Sequence, residues 1–174
     1  LSAVPTTCGT GSEVTNVAVA SLPALNLKKG IATPDTFADA AVLIPESLGG
    51  LPDKVFATSS VDALIHAAES FLSPKASPLT EILSKEAISM IMNGYKKIVE
   101  RGGNTKENRE DLLKDFILAA NYAGIAFGNA GCGAVHALSY AHGGAFHIPH
   151  GEANFICFTE VFTMYQTKQT VGKI

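Results

Sequence analysis

The 174-residue sequence is short of several things, and each shortage excludes something. It has no basic run: thirteen Lys and Arg stand against sixteen Asp and Glu, for a net charge of -3. Nothing in that balance would hold the chain electrostatically on nucleic acid or on an anionic membrane. No apolar stretch approaches the roughly 18 residues needed to cross a bilayer. The N-terminus has neither the charged region nor the cleavage site of a secretory signal. Cysteine is scarce, with Cys8, Cys132 and Cys157 only. An odd number at wide spacing argues against a disulfide framework and for a reducing compartment, so the expected address is the cytoplasm. Internal repeats and low-complexity segments are also lacking. The first residue is Leu1 rather than methionine, which raises the expectation of a segment of something longer.

What is present is enough apolar surface for a packed core, 47% hydrophobic against 17% charged. It comes in two textures. Residues 1–50 are rich in Thr, Val, Gly and Pro, with β-branched runs at Val14 to Ala20 and Ala40 to Ile44 between turn signals. From Pro52 onward apolar residues fall at helical spacing, and helices are expected near 52–72, 78–100, 107–127, 131–142 and 151–167. The second has a clear start, with Ser77 as cap and Pro78 in the first helical position. Its apolar stripe runs through Ile82, Leu83, Ala87, Met90, Ile91 and Ile98 until Gly102-Gly103 ends it. The third turns apolar through Leu112, Leu113, Phe116, Ile117, Ala120 and Ala123. Pro45, Gly49, Gly50 and Pro52 mark a boundary, giving an α/β piece over 1–50 and a helical piece over 51–174. The fold class expected is a mostly α-helical α+β chain.

Two stretches carry chemistry. The first is Val4-Pro5-Thr6-Thr7-Cys8-Gly9-Thr10-Gly11-Ser12-Glu13. Glycines let backbone N–H groups approach an anion, and the hydroxyls can bond ribose or phosphate oxygens. A Gly-Thr-Gly turn joining a strand to whatever follows would need the same residues for steric reasons, and the spacing is neither that of a P-loop nor of the dinucleotide fingerprint. The second is a set of possible metal ligands. Asp62 and His66 stand four apart within a helix, so both lie on one face. His136 and His150 follow in two later segments, and all five histidines, with His142 and His147, fall in these regions. An isolated Asp–His pair on a helix is usually a local ion pair. Here the neighbours Ala63, Leu64, Ile65, Val135, Ala137 and Leu138 argue that the polar groups point inward, where a divalent cation would satisfy them together. One carboxylate and three imidazoles suit Fe(II), Zn(II), Co(II) or Ni(II) better than Mg(II) or Ca(II).

Four blocks occur in order: Pro5 through Thr15, Val61 through Glu69, Ala123 through Gly131, and Val135-His136-Ala137-Leu138 through Pro149-His150-Gly151-Glu152-Ala153-Asn154. Together they resemble the iron-containing alcohol dehydrogenase family, nearest to the branch acting on 4-hydroxybutyrate. The resemblance implies the dehydroquinate synthase-like fold, with residues 1–50 as the tail of an N-terminal α/β nucleotide-binding domain and 51–174 as a helical metal-binding domain truncated at its C-terminus. It implies the middle of a protein about twice as long, most of whose nucleotide-binding domain lies upstream. The implied metal ligands are Asp62, His66, His136 and His150, for Fe(II) with Zn(II) as the alternative. Thr6, Thr7, Gly9, Thr10, Gly11 and Lys29 match positions beside the cofactor, NAD or NADP.

The implied reaction is reversible hydride transfer between a primary alcohol, 4-hydroxybutyrate first, and the nicotinamide, with the metal as Lewis acid. Many members carry a relay histidine four residues after the third ligand; this chain has Tyr140. Tyr140, His142 or His147 could carry the alcohol proton outward, and His142 or His147 could help hold a substrate carboxylate. Implied partners are a small alcohol or aldehyde, with a homo-oligomer left open. The alternatives are the same fold acting on another small alcohol or polyol, and a non-catalytic helical metal-binding module.

Overall fold

The computed structural model describes residues 1–22, 27–146 and 148–167. Four short strands open the chain: β1 (Ser2–Ala3), β2 (Val17–Leu22), β3 (Leu27–Ala32) and β4 (Ala40–Ala41). β1 pairs in parallel with β4, Ser2 opposite Ala40. β2 and β3 pair antiparallel, from Val17 opposite Ala32 to Leu22 opposite Leu27. The strand expected from Val14 begins only at Val17, because a 3-10 turn over Ser12–Val14 consumes the preceding residues. The run from Ala40 to Ile44 pairs over two residues, with one further bond from the Val42 N–H to the Ala3 carbonyl. Its partner runs into Pro5, which has no N–H to continue the ladder.

Among the described residues six helices follow: α1 (Asp53–Leu72), α2 (Pro78–Glu100), α3 (Lys106–Arg109), α4 (Leu113–Ala130), α5 (Ala134–Phe146) and α6 (His150–Thr167). The start of α2 is as the sequence dictates: the Ser77 side chain accepts from the Thr80 N–H, and the Thr80 hydroxyl accepts from the Ser77 N–H at 2.8 Å. Its inward face is Thr80, Ser84, Ala87, Ile91, Gly94 and Ile98, while Ile82 is 64% exposed, so the apolar stripe read from sequence is displaced by about one residue around the helix at its start. α1, α2 and α4 pack together, with Phe56 of α1 meeting Phe116 of α4 edge to face at 4.7 Å. Ala87, Ile91, Ile98, Ile117 and Ala123 are among the other members of this core, joined by Cys8 and Leu48 from the first part of the chain. Each fully buried Ile or Phe contributes about 1.5–3 kcal/mol. A second, smaller cluster of Ile65, Val135, Cys157 and Val161 fastens α5 and α6 to α1.

The expected helix over 107–127 is interrupted. α3 ends at Arg109 and a 3-10 turn over Glu110–Leu112 intervenes before α4. The cause is Arg109, which is 1% exposed. Its guanidinium donates to Asp53 Oδ1 at 2.6 Å, Asn104 Oδ1 at 2.9 Å and the Leu51 carbonyl at 2.6 Å, and lies 4.6 Å from the Phe56 ring centre. The change of helical pitch is what lets a charged side chain turn in under the start of α1.

Candidate metal centre

α1 carries Asp62, His66 and Glu69 at helical spacings of four and three, so one face of one helix presents all three. His136 stands in the first turn of α5, and His150 opens α6. What brings α6 close is Gly151: a Cβ there would collide with the Thr58 carbonyl of α1. With no side chain in the way, His150 Nε2 lies 3.6 Å from Asp62 Oδ1. His136 Nε2 lies 3.6 Å from the same oxygen, and His66 Nδ1 lies 3.8 Å from Asp62 Oδ2. One ligand atom from each of the four residues falls within 4.8 Å of the others. The His66 ring is stacked between Phe127, at 4.2 Å, and His136, at 4.3 Å.

The electrostatics follow from burial. Burial alone would raise the Asp62 carboxyl, but His66, His136 and His150 around it hold it well below the usual carboxylate range. Burial pushes His66 down to about 4 despite Asp62 beside it, so its imidazole is neutral at pH 7. His136 is pushed the other way: burial disfavours its cation, but Asp62 and Glu69 favour it and win. The donor set suits a divalent cation on two counts. One carboxylate and three imidazoles are borderline ligands, and His66 Nδ1 is a buried nitrogen with no hydrogen-bond partner. Leaving such an atom unsatisfied costs about 1–3 kcal/mol, which a bound cation would offset.

These ligands line a cavity of about 610 Å³. Thr10, Ser12, Thr15, Val17 and Val19 from the first part of the chain also line it, as do Phe127, Cys132 and Tyr140 from the helical part. Thr10 and Tyr140 are therefore brought to the site, Tyr140 with its ring centre 6.0 Å from that of His150. Thr6, Thr7 and Lys29 are not among the lining residues; Lys29 is exposed on β3 opposite Ala20. Gly9 and Gly11 serve packing: Gly9 lies against Ser59 of α1, and Gly11, in the left-handed region at φ 56, lies against Gly124 of α4. His142 does not reach the cavity. Six residues past His136 is about 240° around the helix, and its Nδ1 lies 3.1 Å from the Leu138 carbonyl and 3.9 Å from Cys157 Sγ. His147 lies outside the described residues.

Three residues of the site were not singled out from sequence. Glu69 is 2% exposed and touches His136. Its spacing of seven from Asp62 was the available signal. Asn154, fully buried, places Nδ2 2.6 Å from Asp62 Oδ1 and 3.2 Å from both His136 Nε2 and His150 Nε2. It stands four residues after His150, on the same face of α6. Cys132 lies at the cavity wall beside His136, and its spacing of four from that histidine was the available signal.

Residues 56–174 match the Fe-containing alcohol dehydrogenase family, C-terminal, and residues 1–45 match iron-containing alcohol dehydrogenase. The chain is 57% identical to the 4-hydroxybutyrate dehydrogenase of Clostridium kluyveri over 171 residues, which is 98% of this chain and 45% of that protein. It thus spans less than half the length of this relative. Among solved structures, an iron-containing alcohol dehydrogenase from Thermococcus thioreducens superposes with a TM-score of 0.81 at 32% identity, over 97% of this chain and 42% of the other. A sulfoacetaldehyde reductase from Bifidobacterium kashiwanohense, solved in complex with NAD+, gives 0.74 at 33% identity, over 88% and 39%. Sequence match and helical architecture agree over nearly the whole length, and the chain belongs to the iron-containing alcohol dehydrogenase family.

Proposed function

We propose that the protein is a metal-dependent NAD(P) alcohol dehydrogenase that interconverts a primary alcohol, 4-hydroxybutyrate in the first place, and its aldehyde. The observation that carries this reading is the convergence of Asp62, His66, His136 and His150 in a cavity that Thr10, Ser12 and Thr15 also line. Those four would hold the divalent cation, Fe(II) or Zn(II), which when bound supplies Lewis acidity to the reacting oxygen, while NAD or NADP accepts the hydride. The substrate assignment is supported by the 57% identity to a 4-hydroxybutyrate dehydrogenase, against 43% for a long-chain-alcohol dehydrogenase.

The chain's own residues then divide the work. Thr10, Ser12 and Thr15 offer hydroxyls to the polar parts of cofactor or substrate from one wall. Phe127, Val17 and Val19 keep the space between them poor in water. Tyr140 stands beside His150 with its side chain partly in solvent, at 42% exposure, and moves the alcohol proton from the site outward. Residues 1–50 belong, in this reading, to the end of a nucleotide-binding domain and 51–174 to the metal-binding one.

His66→Ala tests the proposal. The variant should lose its metal and its NAD-linked oxidation of 4-hydroxybutyrate. A variant that keeps a full equivalent of metal and a normal rate would place the site elsewhere. A wild-type protein that oxidises propanol or glycerol faster than 4-hydroxybutyrate would overturn the substrate while leaving the centre in place.

A further inference from the structure

Glu69 is a buried carboxylate that none of the roles above uses, and its surroundings are unusually complete. Oε1 accepts from the Val135 N–H at 2.7 Å; Oε2 accepts from the Gly133 N–H at 2.9 Å and, more weakly, from the His136 N–H at 3.4 Å. His136 Nδ1 lies 2.7 Å from Oε2. The carboxylate therefore satisfies the free N–H groups where α5 begins and the ring of the histidine in its first turn. Gly133 makes this approach possible, since a Cβ there would lie 2.8 Å from Glu69 Oε1. A surface cap would need only the backbone bonds. The contact to the ring has a different consequence.

An imidazole that gives its Nδ1 proton to a carboxylate keeps the lone pair on Nε2. Nε2 is the atom of His136 that faces Asp62. Glu69 sits one turn below His66 on the same helix, so the helix that supplies two ligands also orients the third from behind. From these contacts we infer that Glu69 is a positioning residue for the metal centre: it fixes the tautomer and direction of His136 so that Nε2 points at the ion. The inference rests on the reading of Asp62, His66, His136 and His150 as ligands.

Glu69→Gln is the direct test, because the amide keeps the volume and one acceptor but replaces the other with a donor. The Nδ1 proton of His136 then loses its acceptor and the lone pair is no longer held on Nε2. Zn(II) affinity, measured on the metal-free protein by competition with a chelator, should fall about 10- to 100-fold, with helix content by circular dichroism unchanged. Glu69→Asp, which keeps the charge at a longer reach, should recover part of the loss. A simple capping role would lower the melting temperature and leave Zn(II) affinity of the folded protein alone, so a Glu69→Gln variant within about threefold of wild type overturns the inference. Should Glu69→Gln fail to fold, nitrogen NMR of the Zn(II)-loaded wild type decides. His136 bound through Nε2 with a slowly exchanging Nδ1 proton supports the role, and His136 bound through Nδ1 overturns it. His66→Ala separates the two levels: if it retains Zn(II), the centre itself is misassigned and the role of Glu69 falls with it. If it loses Zn(II) while Glu69→Gln binds normally, only Glu69 is misassigned.

Discussion

The strands before residue 50 and the helices after it solve the burial problem in opposite ways. Val17, Val19, Ile31, Val42 and Ile44 on or beside the strands are all more than a third exposed, and the described residues of the first part give the main core the buried Cys8 and Leu48, with Leu43 packed against it. The helices bury not only Phe, Ile and Ala but also Asp62, His66, Glu69, Arg109, His136 and Asn154. Charge can be kept inside there because each such group has a partner within one or two turns or across a helix pair. The lesson is that the helices supply fixed chemistry, while the strand side supplies a wall of hydroxyls held in place through two glycine contacts.

The sharpest way to test this division is Tyr140→Phe, which removes one hydroxyl from the helical side and leaves the ring. If Tyr140 moves the alcohol proton, kcat should fall by about 10² to 10⁴ with metal content unchanged. A rate within about threefold of wild type across the pH profile would reduce Tyr140 to packing and break the contrast. Next in size is Arg109→Ala, which removes three hydrogen bonds and a contact to the Phe56 ring; it should cost about 3 kcal/mol in chemical denaturation. Its counterpart on the strand side, Val42→Thr, should stay within about 0.5 kcal/mol. If the two cost the same, the difference between the regions is not one of stability.

Thr10→Val should act on the wall alone, raising KM for cofactor or substrate by about two- to tenfold, the worth of one hydrogen bond of about 0.5–1.5 kcal/mol, with full metal retained. The last test concerns the pH dependence that Glu69 sets. Burial would raise its carboxyl, but His136 and the Gly133 and Val135 N–H groups hold it below its ordinary 4.5. A folded-state value below the unfolded one means stability that is present above about pH 4.5 and lost as pH falls through the folded value. Glu69→Gln should therefore lower the stability of the metal-free protein above about pH 4.5 and flatten the acid side of its stability curve, the two proteins converging as pH falls.

Much of this could be read from residue types alone, for reasons that differ by element. The ends of α2 were legible because Ser77-Pro78 and Gly102-Gly103 act locally. The four candidate ligands were legible because Asp62 and His66 share a helix face by arithmetic and the remaining histidines are few. The break at Arg109 was not, because its partners Asp53 and Leu51 lie more than fifty residues away. The contact of Glu69 with His136 spans 67 residues and was hidden in the same way. The exposure of Ile82 is not legible in the sequence, because a helix start is amphipathic only in relation to what packs on it. His142 could have been set aside, since a separation of six does not return to the same face.

The meeting of α6 with α1 at Gly151 and Thr58 has an asymmetric consequence for mutational tolerance. The obstacle at this crossing is a main-chain carbonyl, which every residue type possesses. A saturation library at position 58 should therefore accept many side chains with the centre intact. At position 151, even alanine would push the start of α6 away from α1 and carry His150 with it. Two positions in the same contact would thus show nearly opposite substitution profiles, and metal retention scored across both libraries would map which helix of the crossing sets the aperture of the site.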